Sequence, residues 1–106
     1  MILYHIEREQ NLNNQFTWDE NKERENIKNH GISFTEAMTV FADAGATVIY
    51  DVDHSEDEDR FIIIGFSRTP RLLLVCYCER EDDLIRIISA RRPEKEEAAL
   101  YGGGWL

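Results

Sequence analysis

Hydrophobic residues follow two different spacings along this chain, and the change falls near residue 45. Before it, apolar side chains recur at helical spacing, as expected of helices that pack on a core. After it, they form short runs rich in β-branched and aromatic residues, which are typical of strands. This order predicts an α+β fold, a small antiparallel sheet with two N-terminal helices and one C-terminal helix packed on it.

The first predicted helix covers about residues 19–29. Thr17 or Asp19 can cap its N-terminus, and acidic residues fill its first turn. Gly31 comes just after its end, where a left-handed conformation commonly stops a helix. The segment is polar almost all round, so we expect it to lie on the surface.

Two further helices are predicted, one on each side of the strand region. The second helix covers about residues 34–42, and Ser33 with Glu36 forms the sequence signature of a capping box at its start. The last helix covers about residues 93–101, with Pro93 at its first position and glycines after its end.

The strand region predicts a meander. Its apolar runs are separated by short, polar links, which favour antiparallel neighbours and a sheet of three or four strands. The predicted strands cover residues 46–52, 60–67, 71–80 and 83–92.

The chain is long enough for one domain. Its 106 residues, 42% of them hydrophobic, suit a single core. We expect residues 16–101 to form this domain and residues 102–106 to be a tail. Residues 1–15 are a polar leader in which ILYHI is either an edge strand or a loose arm.

Neither a membrane span nor a disulfide is predicted. The longest apolar run falls far short of the ~20 residues that a membrane helix needs, and the N-terminus lacks the basic start of a signal peptide. Cys76 and Cys78 should point the same way from one strand, an orientation that does not let them join. A reducing, cytoplasmic setting fits both, and buried small side chains are a better interpretation than metal ligands.

The charge is strongly negative but uneven. A net charge of −9 argues against non-specific binding to nucleic acid, whose phosphates repel such a protein. Residues 1–59 carry 4 basic and 14 acidic side chains, whereas residues 60–106 carry 8 and 7. Within residues 60–92 every basic side chain is an arginine. Such a local cluster in an acidic protein indicates a defined anion site.

Arginines on neighbouring strands suit a phosphodiester, because each guanidinium donates two parallel hydrogen bonds and stays charged. Cleavage of RNA by its own 2′-hydroxyl needs a base, an acid and cations that stabilise charge on phosphorus. His54 or Glu79 is a candidate base, and another imidazole or a tyrosine a candidate acid. Arg60 with Arg91 is a candidate clamp. This chemistry requires no metal ion or other cofactor.

These residues also have plainer interpretations. Strand arginines among acidic loops are often solvated salt-bridge partners. His30 suits the C-terminus of a helix, Trp18 can anchor the first helix rather than stack on a base, and Lys22 and Lys28 can pair with nearby glutamates. The acidic loop at residues 53–59 lacks the spacing of a calcium site and is better interpreted as solvated.

Several motifs, taken together and in order, resemble the BrnT family of small bacterial toxins. They are W-D-x-x-K from Trp18, K-x-H-G-I-S-F-x-E-A from Lys28 and R-I-I-S-A-R from Arg86. The likeness runs from about Phe16 to Tyr101. It implies a fold similar to RelE-type ribonucleases and metal-independent RNA cleavage within a type II toxin–antitoxin pair. It also implies a ribbon-helix-helix antitoxin, through which alone the toxin would meet DNA.

The family pattern, carried over by position, also falls on the candidate residues. The catalytic candidates are His54, Arg60, Glu79 and Arg91. The substrate-binding candidates are Trp18, Lys22, Arg71, Arg80 and Arg86. Lys28, His30 and Ser89 also match the family pattern. Cys78 departs from it, since the family often has a small hydroxyl residue there, a better hydrogen-bond donor than a thiol.

A second hypothesis treats the chain as a non-catalytic module whose surface only docks a ribbon-helix-helix partner. Its acidic half, residues 1–59, would then pair with a basic protein. Growth arrest with loss of RNA on expression alone supports the nuclease, whereas a tight complex without either supports the module. Direct operator binding by this chain is disfavoured by its charge and by the lack of a recognition-helix pattern.

Overall fold

A computed structural model of the protein describes residues 15–103. In chain order its elements are β1 (Phe16–Thr17), α1 (Glu20–His30), α2 (Phe34–Met38), β2 (Thr47–Tyr50), β3 (Arg60–Phe66), β4 (Leu72–Arg80), β5 (Leu84–Arg91) and α3 (Lys95–Ala98). Short 3₁₀ turns follow α2, β2 and β4. No helix in this range is long and apolar enough to cross a membrane. The predicted ILYHI strand lies outside the described residues.

The strands form one mixed sheet in the order β1-β5-β4-β3-β2. From β2 to β5 the neighbours are antiparallel, as the short links predict, whereas β1 runs parallel to β5. The α+β class and the order of the helices are confirmed, but the prediction of a purely antiparallel sheet of three or four strands is wrong. The two residues of β1 are too few to show an alternating pattern, so the sequence carries no signal for this fifth strand.

α1 begins and ends where its flanking residues predict. The Asp19 carboxylate accepts hydrogen bonds from two backbone N–H groups of the first turn, which lowers the pKa of that carboxyl. Gly31 follows the helix with a φ of 71°, the left-handed conformation that glycine adopts without strain. The buried side chain of Asn26 binds both the N–H and the carbonyl of Ala90. The Asn26 side chain thus joins α1 to β5 at Ala90, beyond the two positions of β5 that pair with β1.

α2 begins after Ser33, as predicted, but only half of its capping box forms. The Ser33 hydroxyl accepts from the Glu36 N–H at 3.0 Å. The Glu36 carboxylate does not bind back to the start of the helix and instead accepts from Ser67, Thr69 and Arg71. A charged guanidinium is a stronger partner than a backbone N–H, which explains the departure.

α3 starts later and is shorter than predicted. The sequence predicts Pro93 at its first position, but the helix runs over Lys95–Ala98 and its cap is the extended residue Glu94. The Glu97 carboxylate accepts from the Glu94 N–H at 2.8 Å and so fixes the start of the helix at this point.

The two faces of the sheet have different covers. The helix face, under α1 and α2, carries the core, whose buried members include Phe16, Ile32, Phe34, Val40, Leu73, Val75, Ile85 and Ile87. The opposite face, called the open face below, presents residues 60, 62 and 64 of β3. The C-terminal segment, residues 93–103, crosses one end of the open face. There the Thr47 hydroxyl donates to the Leu100 carbonyl at 2.7 Å and accepts from the Gly103 N–H at 2.8 Å.

A bulge in β5 decides which arginines share the open face. Two successive residues of β4 are opposite positions 89 and 87 of β5, so Ile88 is an extra residue. In a regular strand Arg86 and Arg91, five positions apart, would point to opposite faces. Because of the bulge, both belong to the open face.

Candidate functional site

Three cross-strand rows on the open face bring the polar residues together. From one end to the other the rows are Arg60–Cys78–Arg86, Ile62–Cys76–Ser89 and Ile64–Leu74–Arg91. Arg60 and Arg91 therefore lie four residues apart along the strands, roughly 13 Å in that direction, and two strands apart across the sheet, roughly 10 Å. Their long side chains extend from the two outer rows and can both approach the middle one.

A histidine and a buried aspartate follow β2, and the aspartate lies next to Arg60 and Cys76. Asp51 comes directly after β2, and one 3₁₀ turn brings His54 back to it. The His54 Nδ1 atom is 3.0 and 3.1 Å from the two carboxylate oxygens of Asp51. Asp51 is 7% exposed, whereas the His54 side chain is 67% exposed. The imidazole is thus anchored at Nδ1, and Nε2 is directed away from the aspartate.

The thiol of Cys76, in the middle row, lies within reach of several charges. Its Sγ atom is 3.9 Å from a carboxylate oxygen of Asp51. Burial raises the pKa of this thiol and Asp51 adds to the rise, while Ser89, Arg60 and Arg91 act against it. Arg60, Arg91 and Asp51 therefore all act electrostatically on this one half-buried thiol. Both cysteines are free thiols, in agreement with the prediction that they do not join.

Arg60 has hydrogen-bonding capacity that the described residues do not use. Its Nη2 atom forms a loose ion pair with Glu58 at 3.6 Å, and Glu58 also faces Arg80 at 3.5 Å. The Nε atom of Arg60 is buried and has no hydrogen-bond partner within residues 15–103. A buried donor without an acceptor is energetically costly.

Arg60 and His54 border the same surface depression of about 210 Å³. Its remaining lining residues are Asp53, Glu56, Asp57 and Glu58. The depression therefore combines one guanidinium and one imidazole with an acidic rim. The acidic rim repels anions, whereas the arginines on the side of the sheet attract them.

Arg91 is held in place by Glu97, which follows it in the C-terminal segment. The Nη1 and Nη2 atoms of Arg91 each bind one oxygen of the Glu97 carboxylate at 2.9 Å, and Nη1 also binds the Arg92 carbonyl at 3.2 Å. The ion pair raises the pKa of Arg91 and lowers that of Glu97. These contacts use three of the five N–H groups of the guanidinium. Nε–H and the second Nη2–H point the same way and form a fork suited to a phosphate.

Arg71, a predicted substrate-binding residue, lies instead on the helix face at the far end of β4. Its Nε and Nη2 atoms bind the two oxygens of the Glu36 carboxylate at 2.8 and 2.7 Å, and Nη2 also binds the Gly31 carbonyl at 3.0 Å. Together with the hydroxyls of Ser67 and Thr69, the Arg71 guanidinium lowers the pKa of Glu36 to about 2. This network ties α2 to the loop between β3 and β4.

The predicted residues at the end of β4 and the start of β5 are divided between the faces. Arg80 and Arg86 share the open face with Arg60. Glu79 alternates with its neighbours and so projects on the other side, where it is exposed. The two candidate bases are therefore separated by the sheet, and His54 is the one on the side of the arginines.

Two predicted substrate-binding residues belong to the helical region. Trp18 packs edge-on against the buried ring of Phe34, with 6.0 Å between the ring centres, in agreement with an anchoring role. Its partly exposed edge contributes to a shallow groove with Glu20 and Thr35. Lys22 is exposed on α1. Neither residue joins the group around Cys76.

The profile of a known protein family covers most of the chain. The family, described as "Ribonuclease toxin, BrnT, of type II toxin-antitoxin system", matches residues 18–97. This chain belongs to the BrnT family. It is a ribonuclease toxin of a type II toxin–antitoxin system, and membership implies RNA as substrate and an antitoxin as partner.

A solved BrnT structure supports the same fold. The 1.1 Å crystal structure of the Brucella abortus ribonuclease toxin, BrnT, superposes with a TM-score of 0.57 and 23% sequence identity. The match covers 76% of this chain and 96% of that one. No significant match was found among curated proteins.

Two carboxylates near these residues, Asp51 and Glu97, are not among the residues predicted from the sequence. Asp51 precedes His54 by three residues, a spacing that one helical turn brings together, and this could have indicated the pair. Glu97 lies six residues after Arg91, in another element, and no local pattern joins them. Within residues 15–103 no group of three or more His, Cys, Asp or Glu side chains is arranged to hold a metal ion.

Proposed function

We propose that this BrnT-family toxin cleaves RNA by attack of a ribose 2′-hydroxyl on the adjacent phosphorus, and that His54, Arg60 and Arg91 carry the reaction. The observation that supports this most is their placement. Two arginines with N–H groups that the described residues leave unpaired flank one row of the open face, and the aspartate that anchors His54 contacts the cysteine of that row.

The proposed reaction assigns a base to the exposed nitrogen of His54. Nε2 removes the 2′-hydroxyl proton, the 2′ oxygen bonds to phosphorus, and the bond from phosphorus to the 5′ oxygen breaks. The products are a 2′,3′-cyclic phosphate and a 5′-hydroxyl, whose proton comes from a second acid or from solvent. We favour His54 over Glu79 as the base because Glu79 projects on the side away from the arginines.

The two arginines are proposed to hold the scissile phosphate and stabilise the charge that builds on its oxygens. Arg60 offers a partly exposed guanidinium whose ion pair with Glu58 is loose, and Arg91 offers the fork formed by Nε–H and Nη2–H, which no contact within residues 15–103 uses. Because both cations are supplied by the protein, the step needs no metal ion. Arg80 and Arg86, on the same face, are proposed to extend the cationic track along the RNA.

We further propose that the antitoxin is a basic ribbon-helix-helix protein. The family resemblance suggests its fold, and the charge of the toxin supports its basicity. The net charge of −9 and the acidic loop at residues 53–59 favour a partner of opposite sign. In such a pair the DNA-binding surface belongs to the antitoxin.

The test is cleavage of a short RNA in the presence of EDTA, beside the same RNA with a single 2′-deoxy residue at the cleaved position. Purified toxin should cut the all-RNA strand and leave a 2′,3′-cyclic phosphate, but spare the substituted position. Cleavage of the 2′-deoxy strand, or a strict requirement for magnesium, would contradict the mechanism. Tight antitoxin binding with neither RNA cleavage nor growth arrest would favour the non-catalytic module.

A further inference from the structure

We propose that Asp51 is the positioning residue of the nuclease site and holds His54 with its proton on Nδ1. The inference rests on the proposed role of His54 as the base. It adds a residue that no motif singled out and gives a physical reason why one nitrogen of an exposed imidazole should be ready to accept a proton.

The first step is that Asp51 is fixed more firmly than a loop residue at the end of a strand usually is. Its N–H donates to the Arg60 carbonyl at 2.8 Å, which continues the pairing of β2 with β3. Its own carbonyl accepts from the Ser55 hydroxyl at 2.6 Å and from the His54 N–H at 3.3 Å. The carboxylate therefore has a defined place beneath the 3₁₀ turn.

The second step concerns the cost of this carboxylate. A carboxylate that is 7% exposed loses most of its hydration, and hydrogen bonds within the protein must offset this free-energy cost. The side-chain groups that face it are the His54 Nδ1 atom, at 3.0 and 3.1 Å, and the Cys76 thiol at 3.9 Å. The imidazole is the closer donor, so its Nδ1 should carry a hydrogen.

The third step follows from the chemistry of imidazole. A neutral ring protonated on Nδ1 has its lone pair on Nε2, the nitrogen that faces away from Asp51. Because the His54 side chain is 67% exposed, little else restrains its rotation or its tautomer. Asp51 thus supplies both the orientation and the tautomer that the proposed base requires.

Other charged side chains surround Asp51 and His54. Arg60 and Arg91 approach from the sheet, on the side of Cys76. The loop contributes the acidic side chains that border the depression with His54, namely Asp53, Glu56, Asp57 and Glu58. Among the described residues, Asp51 is the one that is hydrogen-bonded to the His54 ring.

The experiment compares the parent with Asp51→Asn, whose amide keeps the shape of the side chain but can donate to Nδ1 and so favour the other tautomer. We expect kcat to fall about 10- to 100-fold, with KM within about threefold of the parent, and the pH–rate profile to shift. The ¹⁵N resonances of the His54 ring should report hydrogen on Nδ1 in the parent and a change of tautomer in the variant. Asp51→Glu, which restores a carboxylate, should recover part of the loss.

Asp83→Asn is the matched control, since it removes the same charge from an exposed turn between β4 and β5. Its φ of 61° is one that asparagine also adopts readily. This variant should keep the parental kcat, pH profile and His54 resonances.

The outcomes separate the two proposals. If His54→Ala cleaves RNA as fast as the parent, the proposed base is wrong and the catalytic role of Asp51 is lost with it. If His54→Ala is inactive but Asp51→Asn keeps the parental rate and tautomer, only the positioning role is wrong. Should Asp51→Asn fail to fold, the parent alone decides, because hydrogen on Nε2 of its neutral His54 overturns the inference.

Discussion

Two regions of this toxin place an arginine beside a glutamate, and they differ in what remains for a ligand. Near α2, Arg71 gives Nε–H and Nη2–H, its phosphate-binding fork, to Glu36. On the open face, Arg91 binds Glu97 through Nη1 and Nη2, and no contact within residues 15–103 uses its fork; in the same range Arg60 forms a loose ion pair at 3.6 Å. The pair near α2 is therefore a structural ion pair, whereas the arginines of the open face have N–H donors that no contact within residues 15–103 uses.

Exposure alone does not separate the two regions. The side chains of Arg71, Arg60 and Arg91 are 33%, 34% and 37% exposed. The glutamates differ more, since Glu36 is 11% exposed and Glu97 is 31% exposed. Which N–H groups are already used is therefore a better guide to function than the accessibility of the arginine.

The largest expected effect is that of Arg60→Ala. Loss of a cation that stabilises the transition state should lower kcat/KM for RNA cleavage by about 10²- to 10³-fold. The free energy of unfolding should change by less than about 1 kcal/mol, because the ion pair with Glu58 is long and partly exposed. Cleavage rates and urea unfolding of the same preparations measure both.

Arg24→Ala is the control for charge. Arg24 is exposed on α1, whose side of the sheet is opposite the open face. Arg24→Ala removes one positive charge, as Arg60→Ala does, but away from the open face. The cleavage rate of this variant should therefore stay close to the parental one. Equal losses in the two variants would show that total charge, rather than a site on the open face, drives RNA binding.

An intermediate effect is expected from Glu36→Gln, and on stability rather than on cleavage. The substitution leaves Arg71 without its charged acceptor, so the free energy of unfolding at neutral pH should fall by about 2 kcal/mol. The cleavage rate of the folded variant should equal that of the parent. A stable variant with impaired cleavage would instead favour the predicted substrate-binding role of Arg71.

The same pair predicts a dependence of stability on pH. The pKa of Glu36 is lowered from 4.5 to about 2 in the folded protein, so its contribution is complete above the unfolded value and is lost as pH falls toward 2. The difference in unfolding free energy between parent and Glu36→Gln should therefore shrink on acidification. Glu25→Gln, an exposed change on α1, is the control for the loss of one carboxylate.

The comparison also shows which features of the structure the sequence predicts. Short runs rich in β-branched and aromatic residues predict β2 to β5, and Asp19, Gly31 and Ser33 predict the limits of α1 and the start of α2, because these signals are local. The capping-box prediction fails at Glu36 because its competitor, Arg71, is distant in the sequence. A partner 35 residues away leaves no local trace.

Membership of the open face could not be predicted for a similar reason. Arg86 and Arg91 have opposite parity, and only the extra residue Ile88 brings them to one side. Nothing in R-I-I-S-A-R marks the bulge. The motif therefore indicates the residues of a site, whereas the pairing of β4 with β5 decides which of them can act together.

The smallest expected effect belongs to Glu97→Gln, and its sign tests the comparison most sharply. If Glu97 orients Arg91 and leaves the fork free, weakening this half-exposed ion pair should cost about 1 kcal/mol, or about a fivefold lower kcat/KM. A rise in kcat/KM would mean that the Glu97 carboxylate competes with the RNA phosphate for Arg91. Glu96→Gln is the control, because it makes the same charge change at the adjacent exposed position. The amide oxygen introduced by Glu97→Gln can still accept from the Glu94 N–H, so α3 should keep its start and any change in rate can be traced to Arg91.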